Sequence, residues 1–208
     1  MHVVQRGNNR GPCFFGEADY IEYLQYLACF AERFGCAVHA YCLMPNHVHL
    51  LLTPHRANAC AQLMKRLGQC YVQHVNKRIG RTGTLWEGRF YSCLVGSSHY
   101  ALACYRYIEL NPVRAGIVSL ARQYRWSSHQ ANSAEGACDM PLQPHAAYLS
   151  LNDDPNGRVN AYRGLFDSSL ETSVADEFRR ATRGGYLVGA RPSPRGRPRR
   201  KRGLTPIS

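Results

Sequence analysis

Two histidines one residue apart, His47 and His49, are the first place where this chain has residue types and spacing suited to chemistry. Alternate side chains of a strand share a face, so in His47-Val48-His49-Leu50-Leu51-Leu52 both imidazoles point one way while Val48, Leu50 and Leu52 point the other. The run therefore offers two metal ligands beside a buried apolar face. Taken alone, the pair is weak evidence, because chance and ordinary packing produce many such pairs. It is not the pair of a zinc deaminase, whose signature places Glu two residues after the His and carries a downstream P-C-x-x-C. Large H-x-H metallohydrolase barrels need roughly 250 residues of alternating strand and helix, which this chain lacks.

A second constellation is Tyr107 and Asn111, four residues apart at the end of an apolar-periodic run, a spacing that puts both on one helix face. A phenol and an amide oxygen at that spacing can meet one ion. The plain alternative is that Asn111 ends the helix while Tyr107 packs. Pro112 biases the backbone of Asn111 away from helical geometry, so the direction of its side chain is not given by spacing alone.

The formal net charge is +12, which attracts a polyanion, nucleic acid first and anionic membrane second. Arg191, Arg195, Arg197, Arg199, Arg200, Lys201 and Arg202 account for seven of these charges, leaving +5 for the rest. Candidate DNA contacts are Lys65, Arg66, Lys77, Arg78, Arg81 and Arg89, with Trp86 and Tyr91 suited to stacking on unpaired bases. A solvated helix face and ordinary core aromatics are the competing account of the same residues.

The elements that must position these groups follow from periodicity. His2 to Gln5 reads as a short strand entering the polar turn Arg6-Gly7-Asn8-Asn9-Arg10-Gly11. Ala18 to Phe34 is an amphipathic helix stopped by Gly35; Cys36–Leu43 and His47–Thr53 are neighbouring antiparallel strands split by Met44-Pro45-Asn46. A long helix with a basic outer side runs to Gly80, Phe90–Val95 is a fourth strand, and His99–Leu110 a third helix halted by Pro112. The first six elements match the split β-α-β unit of a ferredoxin-like sandwich, an α+β fold with an antiparallel-rich sheet covered by helices on one face.

Beyond Gly116 the signals weaken. Asn132 to Pro144 reads as loop and Ala175–Arg183 as a short helix; from Arg191 the charged, Pro-rich tail is expected to be disordered. The expected organisation is a catalytic domain over 1–128, an extension of unassigned role over 129–190 and a basic tail over 191–208. Nine cysteines, odd in number and without a C-x-x-C pair, fit a reducing cytoplasm better than a disulfide scaffold, and Cys29, Cys42, Cys60, Cys70 and Cys104 are expected to pack as small hydrophobes. No window is apolar enough to span a bilayer.

Three ordered stretches then carry a resemblance: Met44-Pro45-Asn46-His47-Val48-His49-Leu50-Leu51-Leu52, Leu85-Trp86-Glu87-Gly88-Arg89-Phe90-Tyr91, and Tyr107-Ile108-Glu109-Leu110-Asn111-Pro112-Val113-Arg114-Ala115-Gly116. They resemble the REP-associated tyrosine transposases, relatives of the small insertion-sequence transposases of the HUH superfamily. The resemblance runs from about His2 to Ser128, including Tyr124-Arg125-Trp126-Ser127-Ser128. It implies a ferredoxin-like domain in which His47 and His49 match the metal pair, Asn111 the polar third ligand and Tyr107 the nucleophile, with Tyr105 the weaker candidate on another side of the helix. It also implies Mg²⁺ or Mn²⁺, single-stranded or hairpin DNA as partner, a 5′-phosphotyrosine intermediate, action as a monomer or homodimer, and a bacterial, nucleoid-associated setting in the cytoplasm.

Members commonly carry a basic segment ahead of the first strand. Its lack here suggests a misplaced start or some loss of hairpin recognition. The rival expectation is a domesticated protein that holds hairpin DNA without cutting it; a third is a zinc-dependent structural or regulatory domain built on these histidines and some cysteines.

Overall fold

The computed structural model describes residues 1–136 and 139–190; the basic tail from Arg191 onward lies outside the described residues. In chain order the elements are β1 (His2–Arg6), α1 (Glu17–Phe34), β2 (Cys36–Met44), β3 (His47–Pro54), α2 (Ala59–Ile79), β4 (Tyr91–Cys93), α3 (Ser98–Glu109), α4 (Asn111–Arg114), α5 (His129–Asn132), α6 (Ala146–Leu149), α7 (Pro155–Gly164) and α8 (Thr172–Gly184). Local sequence accounts for several of the boundaries. Gly35 takes a left-handed φ of 70° and donates its amide to the carbonyls of Ala31 and Glu32, closing α1. Ser97 caps α3 by accepting from the amide of Tyr100.

The four strands form one antiparallel sheet in the order β2-β3-β1-β4. This is the expected α+β sandwich. Side-chain alternation, with a register shift between Val38 and Ala40 that switches the sides of β2, divides the sheet into two faces with different covers. Val3, Val38, Val48, Leu50 and Leu52 are buried in one core with Leu24, Leu27, Leu63, Leu67 and Tyr71 from α1 and α2. On the opposite face Ala40, Cys42 and Leu51 join Cys104, Tyr107 and Ile108 of α3 and Ala175, Phe178 and Ala181 of α8. The helices on one face are as expected; the second face is covered as well, by α3 together with the C-terminal extension.

The chain beyond α4 is tied to this frame at both sheet edges. The Leu43 amide donates to the Trp126 carbonyl and the Ser128 amide to the Tyr41 carbonyl along β2, while the Val188 amide donates to the Leu94 carbonyl just past β4. Exposed strand edges are thereby occupied. In the middle, the buried carboxylate of Glu109 accepts from Ser128 Oγ at 2.6 Å, Asn132 Nδ2 at 2.8 Å and Tyr162 Oη at 2.7 Å, with His129 Nδ1 at 2.9 Å. One acidic side chain from α3 thus organises α5 and α7 around itself.

Of the cysteines expected in the core, Cys42, Cys60 and Cys104 are buried, Cys70 is half-buried and Cys29 is exposed. Cys29 lies two residues past the buried Leu27, about 200° around the helix, which turns it outward. The described cysteines are all free. Among the described residues no helix is long and apolar enough to cross a membrane.

Candidate active site

The site is built on the face of the sheet that α3 and α8 cover. In the antiparallel register Arg6 stands opposite His47 and Val4 opposite His49, and on the other side Val4 stands opposite Tyr91. The residues presented to that face are therefore His2, Val4 and Arg6 from β1, His47 and His49 from β3, and Tyr91 from β4. All of these line one pocket of about 630 Å³, together with Tyr107, Asn111 and Arg114 from α3 and α4.

The pair of imidazoles and the phenol do converge. The His47 and His49 rings are 4.9 Å apart between centroids, and Tyr107 meets His49 edge-on at 5.6 Å. Asn111 lines the same pocket, and its Nδ2 donates back to the Tyr107 carbonyl at 2.8 Å and the Ile108 carbonyl at 3.3 Å. Asn111 opens α4, directly after Leu110 at φ −86° and ψ −1°, so the turn into Pro112 stays helical where a departure was expected. A proline tolerated at the first turn of a new helix explains this. The amide nitrogen is used to end α3, which leaves the amide oxygen for the pocket. One side chain thus both ends the helix and lines the pocket.

Each histidine uses one ring nitrogen on a protein partner. His47 Nδ1 lies 2.6 Å from Asn46 Oδ1, an atom that can only accept, so Nδ1 carries the proton and Nε2 keeps its lone pair. His49 Nδ1 lies 2.9 Å from His2 Nε2, and His2 Nδ1 lies 2.8 Å from Thr182 Oγ1 on α8. Thr182 Oγ1 in turn lies 3.3 Å from the Cys93 thiol. Metal-binding histidines are usually oriented in this manner by a partner on the second nitrogen. Burial, with nearby Arg6, lowers the His47 pKa to about 4; burial and neighbouring positive groups push His49 well below its ordinary value. Neutral imidazoles with a free nitrogen are what a divalent ion requires.

The donor set fits a catalytic ion better than a structural one. Among the described residues no three His, Cys, Asp or Glu side chains are grouped to hold a metal. Two imidazoles and the amide oxygen of Asn111 are an incomplete shell, with positions left for water and a phosphate oxygen.

Tyr107 is only 4% exposed. Its ring stacks on Phe178 of α8 at 5.1 Å, and the Arg114 guanidinium sits 5.1 Å from the ring centroid. Burial raises the phenol pKa above its ordinary value, while the Arg114 and Arg179 charges pull it down. Tyr105 points elsewhere: it is fully buried, accepts from the His145 amide, and packs on Tyr148 and Tyr162.

The basic residues offered as DNA contacts fare differently. None of Lys65, Arg66, Lys77, Arg78, Arg81, Trp86 and Arg89 lines the pocket. Lys65, Arg66, Lys77 and Arg78 ride on α2, which covers the other face of the sheet. Arg78 is committed to the buried carboxylate of Asp19 through two hydrogen bonds of 2.8 and 2.6 Å. Arg81 donates to the Thr84 carbonyl, and Trp86 is buried in the core with Tyr23 and Tyr71 rather than presented to a base. Lys65 and Arg89 stay exposed. Charge on a helix's outer side marks solvent, and only the packing decides which solvent-facing side looks onto the site.

The pocket draws its positive charge from residues that sequence reading left aside: Arg6, Arg10, Arg114, Arg179 and Arg183, with Glu87 the acidic lining residue. His2 and Thr182 were likewise missed. A signal existed for His2, since it shares strand alternation with Arg6. For α8 it lay in Phe178 and Thr182, four apart beside the Ala175–Ala181 stripe.

No curated protein matches the chain. A solved structure of a REP-associated tyrosine transposase bound to a REP hairpin superposes with a TM-score of 0.48 at 15% identity, covering 70% of this chain and 87% of that one. The family model described as "Transposase IS200 like" matches residues 1–111, which span β1 to Asn111 and hold both histidines and the tyrosine. On that match, the chain belongs to the IS200-like transposase family.

Proposed function

We propose that the chain is a metal-dependent single-stranded DNA nickase and strand transferase that acts at hairpin or palindromic repeats and holds one cut end on Tyr107. The observation that carries this reading is the meeting of His47, His49 and Tyr107, from two distant stretches of chain, in one electropositive pocket. Membership of a transposase family supports it. His47 Nε2, His49 Nε2 and Asn111 Oδ1 would hold Mg²⁺ or Mn²⁺. When bound, such an ion polarises the scissile phosphate and neutralises charge that develops on it.

The chain's own residues account for the rest of the step. Tyr107 Oη attacks phosphorus in line; the phenol gives up its proton, the bond to the 3′ oxygen breaks, and that oxygen leaves as a 3′-hydroxyl after taking a proton. The strand's 5′ phosphate is then esterified to Tyr107. Arg114, against the Tyr107 ring, stabilises the phenolate on the way. A phosphotyrosine keeps the phosphate reactive toward another 3′-hydroxyl, which hydrolysis would forfeit. That retention is what joining strands requires.

The test is a denaturation-resistant protein–DNA adduct formed on labelled hairpin DNA with Mn²⁺ and absent from Tyr107→Phe. A second reading, a protein that binds hairpins without cutting, draws support from the burial of Tyr107 under Phe178. Hairpin binding by the wild type with no adduct under any divalent ion selects it.

A further inference from the structure

The polar turn that follows β1 has no part in the reaction just described. Asn9 and Arg10 both take left-handed backbone conformations, φ 52° and 57°, and neither is glycine. Such conformations persist where surrounding contacts hold them and gather at functional sites. Here the holding contacts are the Gly11 amide on the Asn8 carbonyl at 2.9 Å, the Arg10 amide on the Gly7 carbonyl at 3.0 Å, and Asn46 Nδ2 on the Arg10 carbonyl at 3.1 Å. The turn delivers the Arg10 side chain to a small pocket of about 260 Å³ whose other walls are Arg6, Asn46, His47 and Arg183.

This pocket adjoins the larger one, sharing Arg6, Arg10 and His47 with it. Among the described residues none of its three arginines forms an ion pair, unlike Arg78, Arg125, Arg163 and Arg179. Among the described residues no acidic side chain lines it. Guanidinium groups gathered without a counter-charge repel one another and present planar forks of donors, the arrangement that a phosphate oxygen pair satisfies. Asn46 links the two sites directly, since its Oδ1 orients His47 while its Nδ2 holds the Arg10 carbonyl.

We infer that Arg6, Arg10 and Arg183 form a second phosphate site beside the metal-binding pair, which grips a phosphodiester of the same single strand away from the one Tyr107 attacks. The inference rests on the reading of the pocket as a single-strand site. It makes the α8 helix, which lies beyond the matched family region, part of the strand-binding surface. Neighbouring-phosphate contact sets where along the strand the scissile phosphate lies, without reading base identity.

The experiment measures binding of fluorescein-labelled oligothymidylate by anisotropy across a salt series, for the wild type, Arg10→Gln/Arg183→Gln, and Lys65→Gln as a control on the other face. The double variant is expected to bind roughly tenfold more weakly and to lose about one unit of salt slope, whereas Lys65→Gln matches the wild type. Unchanged slope and affinity in the double variant, with an unchanged melting temperature, overturns the inference. Inorganic phosphate separates a strand site from a free-anion site: if it raises the melting temperature of the wild type alone while oligothymidylate binding is the same in both proteins, the pocket takes a free anion and the strand assignment fails. Arg10→Lys/Arg183→Lys, which keeps the charge, restores most of the salt slope if the contact is to phosphate. Failure of the wild type to bind any single strand sinks the broader functional reading instead, and an adduct that forms normally beside an unchanged slope sinks only this site.

Discussion

His2 Nε2 lies 2.9 Å from His49 Nδ1, and the two rings stack with an interplanar angle of 5°. A residue at the very start of the described chain therefore orients a candidate metal ligand of β3, and Thr182 of α8 orients His2 in turn. Thr182→Val removes the last hydroxyl in this chain. Leaving buried His2 Nδ1 with only the more distant Cys93 thiol at 4.0 Å should cost about 1 kcal/mol of stability. Mn²⁺ affinity, read by titration calorimetry, should fall about 10- to 100-fold. Unaltered affinity in a folded Thr182→Val protein would show that the relay does not position His49.

Tyr107→Phe is expected to abolish the covalent adduct while hairpin binding stays near the wild-type level. The phenol oxygen is the atom that bonds to phosphorus, and the ring still stacks on Phe178. Tyr105→Phe, whose hydroxyl faces His145 on the other side of α3, should keep the adduct. Gel mobility after denaturation distinguishes the two, and an adduct surviving in Tyr107→Phe moves the nucleophile elsewhere.

Glu109 carries the junction between α3 and the extension. Glu109→Ala strips the buried partners Ser128, His129, Asn132 and Tyr162 of their common acceptor, and a loss of about 3–5 kcal/mol is expected from urea unfolding. A loss below about 1 kcal/mol would mean that the cluster relaxes around water or a neighbour.

Arg78→Ala should weaken the fold and spare DNA binding. It leaves the buried Asp19 carboxylate without its paired guanidinium, at a cost of roughly 2–3 kcal/mol for a charged hydrogen-bonded pair that is partly open to solvent. Anisotropy and unfolding measured on one preparation check both halves, and a tenfold loss of DNA affinity with intact stability reverses the assignment.

Acidification should destabilise the protein before its carboxylates titrate. Burial lowers the pKa values of His2 to about 3 and of His39 and His47 to about 4, from an ordinary 6.5. With folded values below unfolded ones, the unfolded chain binds more protons as pH drops under 6.5, so the contribution of these histidines to stability is lost between pH 6.5 and about 4 and is constant above. His39 contacts Thr53 Oγ1 and the Gln143 carbonyl, away from the candidate metal pair. His39→Gln should therefore flatten the pH dependence of the urea midpoint, and an identical slope in the variant would remove His39 from the account.

The linear sequence determined everything that depends on period and local chemistry. Alternation in His47-Val48-His49 set which face the imidazoles share, four-residue spacing put Tyr107 and Asn111 together, Gly35 ended α1, and motif order pointed to the family that the matched region bears out. Boundaries of α1, β2, β3 and α3 fell within a residue or two of expectation because caps and turns are local. What only the tertiary structure decided was adjacency. That His2 reaches His49 follows from pairing β1 with β3, that Arg78 is spent on Asp19 follows from packing α2 on α1, and that Arg183 and Thr182 join the site follows from laying α8 over the sheet's second face. Contacts between residues this far apart in the chain are fixed by the shape of the assembled core, and no window of sequence short enough to show a period contains both partners.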